Sequence, residues 1–459
     1  MAPAAFILLA CALSAAFAHE ISGSLHHHGI HEIPGYCHSP ILRSFPLLSS
    51  PICSNDTLTT KYQASSSHSG WTRATSCSTA TNGTNEYCVL ASSTFANGRG
   101  LSVIMSPERA DYIASLPSFT NEYVLKHENK EHDTESTPYK FVHVPGKDVG
   151  VVATRPIYRG EHLMSHTPAI MIDYGAFDHL SQAEVLRLQV EAVEQLPSAL
   201  RAKFLDLSTH SGASDHAEKV EKILKTNAFD VDITDDREHG LYVVFPEISR
   251  FNHDCRPNAD YWFDPDTLVQ HVYATRTIVP GEEISLTYMD PIRPRAKRQQ
   301  KLHNVWGFKC SCSLCTQRPE LTAASDQRIK QIKKIRKQLE DYSTSSAATP
   351  QMADLFVSLY EQERLDGSIY EAYAFAAIEW NGVGEPWQAV RYARLAIEYG
   401  LAAVGPNDQD VIEMKTLTED PWGHWSWMLR TSKRMSWGRM REVSGSYMRG
   451  GEDEDEEED

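Results

Sequence analysis

The feature that most limits how this chain can fold is Cys310-Ser-Cys312-Ser-Leu-Cys315, three thiols within six residues. So tight a turn can put three sulfurs on one metal, but a tetrahedral structural zinc needs four ligands, each at about 2.3 Å. The fourth must come from a distant segment. Cys255, 55 residues upstream of Cys310, is the one cysteine outside the N-terminal part of the chain that could supply it. The alternatives are unrelated thiols, or disulfides in an oxidising compartment. Zinc is the better reading of Cys-x-Cys-x-x-Cys, and it requires residues near 255 to fold against residues 310–315.

The chain has 459 residues, 41% of them hydrophobic and 23% charged. At roughly 150 residues per domain, that length suggests about three domains with real cores. Of the net charge of −17, eight units sit in the acidic run Glu452 to Asp459, leaving nine on the rest. A mildly acidic body argues against direct nucleic-acid binding but is compatible with lysine-rich protein partners. Ala4 to Ala18 is apolar and ends in Ala16-Phe17-Ala18. It is too short to span a bilayer and fits a secretory signal peptide cleaved after Ala18, although no Lys or Arg precedes it. No other segment approaches membrane-spanning length. Cys37, Cys53, Cys77 and Cys88 form an even set whose three possible pairings stay open. Two glycosylation acceptors, Asn55 and Asn82, add to the expectation of a secreted or secretory-pathway protein. Nucleus or cytoplasm is the alternative.

Four parts follow the signal peptide. Residues 19–137 read as a cysteine-containing N-terminal module ending in the polar stretch Glu128 to Thr137. Residues 138–318 mix short strands with a helical insertion near 175–240. Expected strands include Val149 to Thr154, Leu241 to Phe245, Gln270 to Thr275 and Glu283 to Tyr288. Expected helices are Ser181 to Leu207, with Ser181 and Glu184 as a capping box, and His216 to Phe229. Residues 322–405 read as stacked antiparallel helices of a tetratricopeptide-like kind, with Ile329, Ile332, Ile335 and Leu339 as one stripe and Met352, Leu355, Phe356 and Leu359 as another. Residues 406–449 read as irregular, with Trp422, Trp425, Trp427 and Trp437 packing that segment. The acidic tail closes the chain.

Around Cys255 the sequence runs Arg250-Phe-Asn252-His253-Asp-Cys255-Arg-Pro257-Asn258. It is followed by Gly281-Glu282-Glu283-Ile-Ser-Leu-Thr-Tyr288 and Trp306-Gly-Phe308-Lys-Cys310. With the start around Gly146 to Pro156, these four motifs stand in the order found in SET-domain protein lysine methyltransferases, which the chain resembles over Tyr139 to Gln317. The insertion and helical C-terminus most resemble the SET-and-MYND subgroup and its fungal relatives, without a recognisable MYND finger. The resemblance implies an α+β fold: a SET-domain β-fold with a pseudoknot and a helical insertion, a zinc-binding post-SET segment, and a tetratricopeptide-like C-terminal domain.

It also implies chemistry. S-adenosylmethionine would donate a methyl group to a lysine amine of a protein substrate, histone or non-histone. Tyr288 matches the catalytic tyrosine. Asn252 and His253 match the cofactor-contacting pair, Phe308 matches the aromatic beside the adenine, and Cys255, Cys310, Cys312 and Cys315 match the zinc ligands. The family's Gly-x-Gly cofactor loop reads Asp148-Val149-Gly150 here, preceded by Gly146-Lys147. Asp148 could crowd the donor, could contact its ammonium, or the loop could be re-registered onto Gly146. The competing function is a weakly active or inactive SET-fold protein that acts as a secreted or scaffold binding module. The histidines His26, His27, His28, His31 and His38 read as a flexible run rather than a metal site, and Lys330, Lys333, Lys334 and Lys337 as a solvated helix face. Substrate identity, degree of methylation and oligomeric state are not legible.

Overall fold

The computed structural model describes residues 70–431, apart from 81, 82, 84, 122, 127, 131–136, 234–239 and 344. The expected signal peptide, the histidine run, Cys37, Cys53, Asn55, Asn82, Trp437 and the acidic tail lie outside the described residues, as does most of the polar stretch before Thr137.

Strands β1 (Arg73–Thr79), β2 (Glu86–Ser92) and β3 (Leu101–Met105) form a meander, and helix α1 (Pro107–Ser115) follows. Next come β4 (Tyr139–Val144), β5 (Asp148–Ala153), β6 (His162–His166) and β7 (Ile170–Asp173). The insertion supplies α2 (Gln182–Glu194), α3 (Ser198–Leu205) and α4 (His216–Asn227), and leads into β8 (Phe229–Val231) and β9 (Leu241–Val244). Short β10 (Asn252–His253), then β11 (Ala259–Asp264), β12 (Val269–Ala274) and β13 (Glu283–Leu286), complete the strands.

Three sheets result, in the orders β1-β2-β3-β7-β9-β8, β10-β13-β5-β4 and β11-β12-β6. The largest crosses residue 137, because β3 pairs in parallel with β7. Strands on both sides of the expected module boundary therefore share one sheet. Its residues alternate between two buried faces. Leu90, Val103, Met171 and Val243 enter the central β core, while Val89, Ile104, Ile170 and Val244 pack under the insertion helices. Cys77 and Cys88, directly opposite on β1 and β2, form a disulfide.

The expected helix 181–207 is two helices. The capping box at Ser181 and Glu184 starts α2. Pro197 then separates α2 from α3, since proline has no N–H to donate and disfavours helix at the preceding residue.

Helix α5 (Arg295–Trp306) precedes the cysteine turn. The helices α6 (Pro319–Leu339), α7 (Pro350–Glu363), α8 (Ile369–Gly382), α9 (Pro386–Ala403) and α10 (Gln409–Glu419) then pack each on the next. Ile329, Ile332, Ile335 and Leu339 are buried as expected, and the four lysines of α6 are exposed. Leu355 departs from its expected stripe and is solvent-exposed. The segment expected to be irregular holds α10. Asp408 caps it by accepting the Asp410 N–H (2.9 Å), and Val411, Met414 and Leu417 bury one face. Beyond it, residues 421–431 fasten to α8. Asn381 donates to Pro421 O and Ser426 Oγ, and Arg430 pairs with Glu379. Trp422 and Trp425 are exposed at this seam. No helix among the described residues is long and apolar enough to cross a membrane.

Candidate functional site

The sulfurs of Cys255, Cys310, Cys312 and Cys315 all lie within 4.8 Å of one another, with Cys255 Sγ and Cys315 Sγ 3.6 Å apart and no disulfide among them. Four sulfurs at about 2.3 Å from one zinc would stand about 3.8 Å apart, so this donor set fits a tetrahedral ion. Helix α5 orients it with one face. Arg295 Nε donates to Cys315 O (2.7 Å), Gln299 clamps the Cys310 backbone through both amide atoms (2.7 and 3.0 Å), and Arg298 is buried between them. Hydrogen bonds from Cys255 and the other thiols hold Cys315 well below the usual thiol range, and the nearby Arg298 guanidinium adds to this. A cation in that place offsets the excess negative charge of four thiolates around a divalent ion.

The same cluster touches Tyr288. The Tyr288 N–H donates to His253 Nδ1 (3.0 Å), and His253 Nε2 lies 3.4 Å from Cys255 Sγ. The first bond assigns the ring proton to Nε2. Burial keeps this imidazole neutral, pushing it down to about 3. The Tyr288 hydroxyl donates to Phe251 O (2.8 Å). Burial, reinforced by the Glu283 carboxylate, pushes the phenol above its usual range, so it stays a protonated donor. Around it the rings of His253 (5.3 Å) and Trp306 (5.4 Å) approach Tyr288, and Phe308 lies 6.2 Å from His253 and 6.1 Å from His210.

The turn between β4 and β5 carries the expected cofactor loop. Gly146 has φ +77° with open space where a side chain would begin, and Asp148 has φ +65°. Asp and Asn tolerate this left-handed backbone better than other side chains, which explains why aspartate can stand where glycine is expected. At Gly150 a Cβ would lie 2.7 Å from Asn252 Nδ2, so only glycine lets that amide reach the strand. Asn252 Nδ2 donates to Glu283 Oε1 (2.9 Å), and Lys147 Nζ pairs with Glu283 Oε2 (2.7 Å). Glu283 thus fixes the loop to β10 and β13, and β10 itself pairs in parallel with β13.

One cavity of about 1450 Å³ joins these parts: Gly146, Lys147, Asp148, Asn252, His253, Tyr288, Phe308 and Cys310 line it. Gly150 does not, being packed behind Asn252. The volume exceeds the 300–1,000 Å³ usual for a single small-molecule site, leaving room for a second occupant. The open glycine, the polar loop and the aromatic wall fit a nucleoside cofactor carrying a charged amino-acid end.

Several lining residues were not singled out in the sequence. Trp306 and His210 complete the aromatic wall. Asp230, Asp260 and Tyr261 come from β8 and β11, and Arg336 and Tyr370 come from α6 and α8. Arg295, Arg298 and Gln299 had a readable signal, the i, i+3, i+4 spacing on one helix face. His210 had none, because only the packing of the insertion brings it to Phe308.

The SET domain family profile matches residues 148–289. Histone-lysine N-methyltransferase set5 of Schizosaccharomyces pombe is 30% identical over 202 residues, 43% of this chain and 57% of that protein. A SET and MYND domain-containing protein of Dictyostelium discoideum is 33% identical over 107 residues, 21% of this chain and 30% of its own length. The human N-lysine methyltransferase SMYD2 is 30% identical over 131 residues, 28% of this chain and 30% of that protein. The chain therefore matches between about a third and just over half of each of these relatives.

Proposed function

The chain carries a SET domain at residues 148–289, and from that premise we propose that it is an S-adenosylmethionine-dependent protein-lysine N-methyltransferase with a structural zinc. The observation that carries the reading is the buried phenol of Tyr288, linked through His253 to the cysteine cluster and facing the same cavity as the β4–β5 loop. The named functions of the relatives support it.

Gly146, Lys147, Asp148, Asn252, His253 and Phe308 would hold S-adenosylmethionine, which when bound supplies an electrophilic methyl group on its sulfonium. Tyr288 would position the lysine nitrogen for in-line attack, and positioning is the main catalytic demand of such a displacement. The amine must arrive uncharged, from a pKa near 10.4 in water. A wall of Tyr288, Trp306 and His253 disfavours the ammonium form by desolvation. His253, neutral and hydrogen-bonded to the Tyr288 backbone, fixes where the phenol stands. Zinc at Cys255, Cys310, Cys312 and Cys315 would hold Phe308 and Trp306 against the cavity. The scaffold alternative draws no supporting observation from the site.

The test is calorimetric titration of S-adenosylmethionine into full-length, zinc-loaded protein, followed by mass-spectrometric detection of methyl-lysine on extracted protein substrates. Binding with micromolar affinity is expected. Tyr288→Phe should lower turnover by about 10²-fold or more. Folded, zinc-containing protein that binds no cofactor would overturn the reading.

We further propose entry into the secretory pathway, which the apolar N-terminal stretch and the Cys77–Cys88 disulfide support. Bound metal would protect the four thiols there. Endoglycosidase treatment of native protein should then reduce its mass through Asn55 or Asn82. An unchanged mass together with an intact Met1 would count against export.

A further inference from the structure

Helix α6 places its lysines differently from α4. In α4, Lys222 pairs with Glu218 (2.8 Å) and Lys225 with Glu221 (2.6 Å), each lysine four residues after its glutamate. That spacing puts opposite charges on neighbouring turns of one helix face. In α6, Lys330, Lys333, Lys334 and Lys337 have no such partner. All four are exposed, and none makes a hydrogen bond or ion pair among the described residues. Asp326, four residues before Lys330, accepts the Arg295 N–H (2.8 Å) instead. Lys330 stands three and four residues before Lys333 and Lys334, and Lys337 stands four and three after them. Like charges are therefore neighbours, which opposes the helix unless an anion lies between them.

A second, independent observation says what can cover this face. The described residues end at Thr431, and they end beside α6. Arg430 Nη1 donates to Asp341 O (2.9 Å), just past the last residue of α6, Leu339. The Arg430 guanidinium also stands 5.3 Å from the centre of the Tyr342 ring. Asp341 is four residues beyond Lys337 and eleven beyond Lys330. At 1.5 Å per residue the lysines start about 6 Å from it along the helix axis and finish about 17 Å away. Residues 432–451 then lead to Glu452 to Asp459, eight consecutive carboxylates. A connection of that length reaches up to roughly 70 Å, so the acidic run can lie along all four lysines. The connection itself carries Lys433, Arg434, Arg439, Arg441 and Arg449 against Glu442. Only the acidic run has the charge that the lysine face lacks.

We propose that Glu452 to Asp459 docks in cis on the α6 face formed by Lys330, Lys333, Lys334 and Lys337. Single exposed ion pairs are weak, so the attachment depends on several pairs made together by a tethered segment. Salt screens it. Docked, the tail closes this face of the helical domain to other anions. It leaves when salt or a lysine-rich protein competes for it. The docking does not depend on the methyltransferase reading.

The test is the rate at which an N-hydroxysuccinimide acetate reagent acetylates each lysine of the full-length protein at low salt, read by mass spectrometry. The comparison is a full-length variant carrying Glu452→Gln, Asp459→Asn and the six matching amide substitutions between them, with its fold checked by thermal melting. The four α6 lysines should react about fivefold more slowly in the native protein, the tail being held at high effective concentration. Exposed Lys126 and Lys140 should react equally in both proteins. At 1 M salt, where charges are screened beyond about 3 Å, the difference should vanish. Dilution should leave it unchanged, because the tail is on the same chain. Equal α6 rates at low salt, as when the arginines of 432–451 neutralise the tail instead, would overturn the proposal. So would slowing that survives 1 M salt or is the same at Lys126 and Lys140. Slowing that is lost on dilution would assign the face to the tail of a second copy and overturn docking in cis.

Discussion

Helices α6 to α10 bury Ile329, Ile332, Ile335, Leu339, Phe356, Tyr360, Phe375, Met414 and Leu417 in one continuous core. Around the cysteine turn the buried apolar side chains are Met289, Leu302 and Leu314, packed beside Cys255, Cys310 and Cys315. The first region gains its stability from apolar area removed from water, which does not depend on any added group. The second has little such area, and a buried arginine, a glutamine clamp and the proposed zinc at the four sulfurs would hold it. Yet Phe308 and Trp306, the wall of the candidate site, belong to the second. If the proposed zinc is bound, the site is built on the part of the molecule that depends most on it.

Removing the proposed zinc would separate the two regions most sharply. Chelation, or Cys310→Ser, should abolish cofactor binding in calorimetry and expose residues 307–317 to proteolysis, while far-UV circular dichroism keeps most of its helical signal. Structural zinc sites contribute on the order of 10 kcal/mol, far more than three apolar side chains here. Equal loss of both regions would mean that they fold as one unit. The converse is Phe356→Ala, which leaves a cavity in the helical core. It should cost about 3–5 kcal/mol in urea unfolding and leave zinc content unchanged.

A smaller effect concerns the seam between the regions. Asp260, raised to about 7 when folded, binds a proton there that the unfolded chain, with an aspartate pKa near 4, has released. Stability from this group is present at acidic pH and falls as pH rises from about 4 to about 7. Asp260→Asn should flatten that part of the stability profile measured by denaturant titration. An unchanged slope would mean that Asp260 is fully ionised in the fold.

Much of this is legible in the sequence. The spacing of Cys310, Cys312 and Cys315 demanded a distant fourth ligand, and Cys255 stands with them. Apolar stripes located α6 and α7, and Ser181 with Glu184 located the start of α2, because these signals are local or periodic. Other features were not legible. Val411, Met414 and Leu417 recur every three residues, but over so short a stretch that α10 reads as irregular. Leu355 fits a stripe by spacing yet faces solvent, since only the neighbouring helix decides which face is covered. Asp148 looks like a defect until its positive φ is known.

Residue type and spacing alone specify the thiol set, the order of the motifs around Tyr288 and the helical character of residues 322–405. Each depends on residue type at short range, or on a periodicity that the backbone geometry imposes. Tertiary structure alone decided that β3 pairs with β7 across residue 137. It also decided that Arg298 sits by the sulfurs, and that Asp260, Tyr370 and Arg336 line the same cavity as Tyr288. These outcomes depend on which surfaces pack together, and residue type and short-range spacing do not specify that.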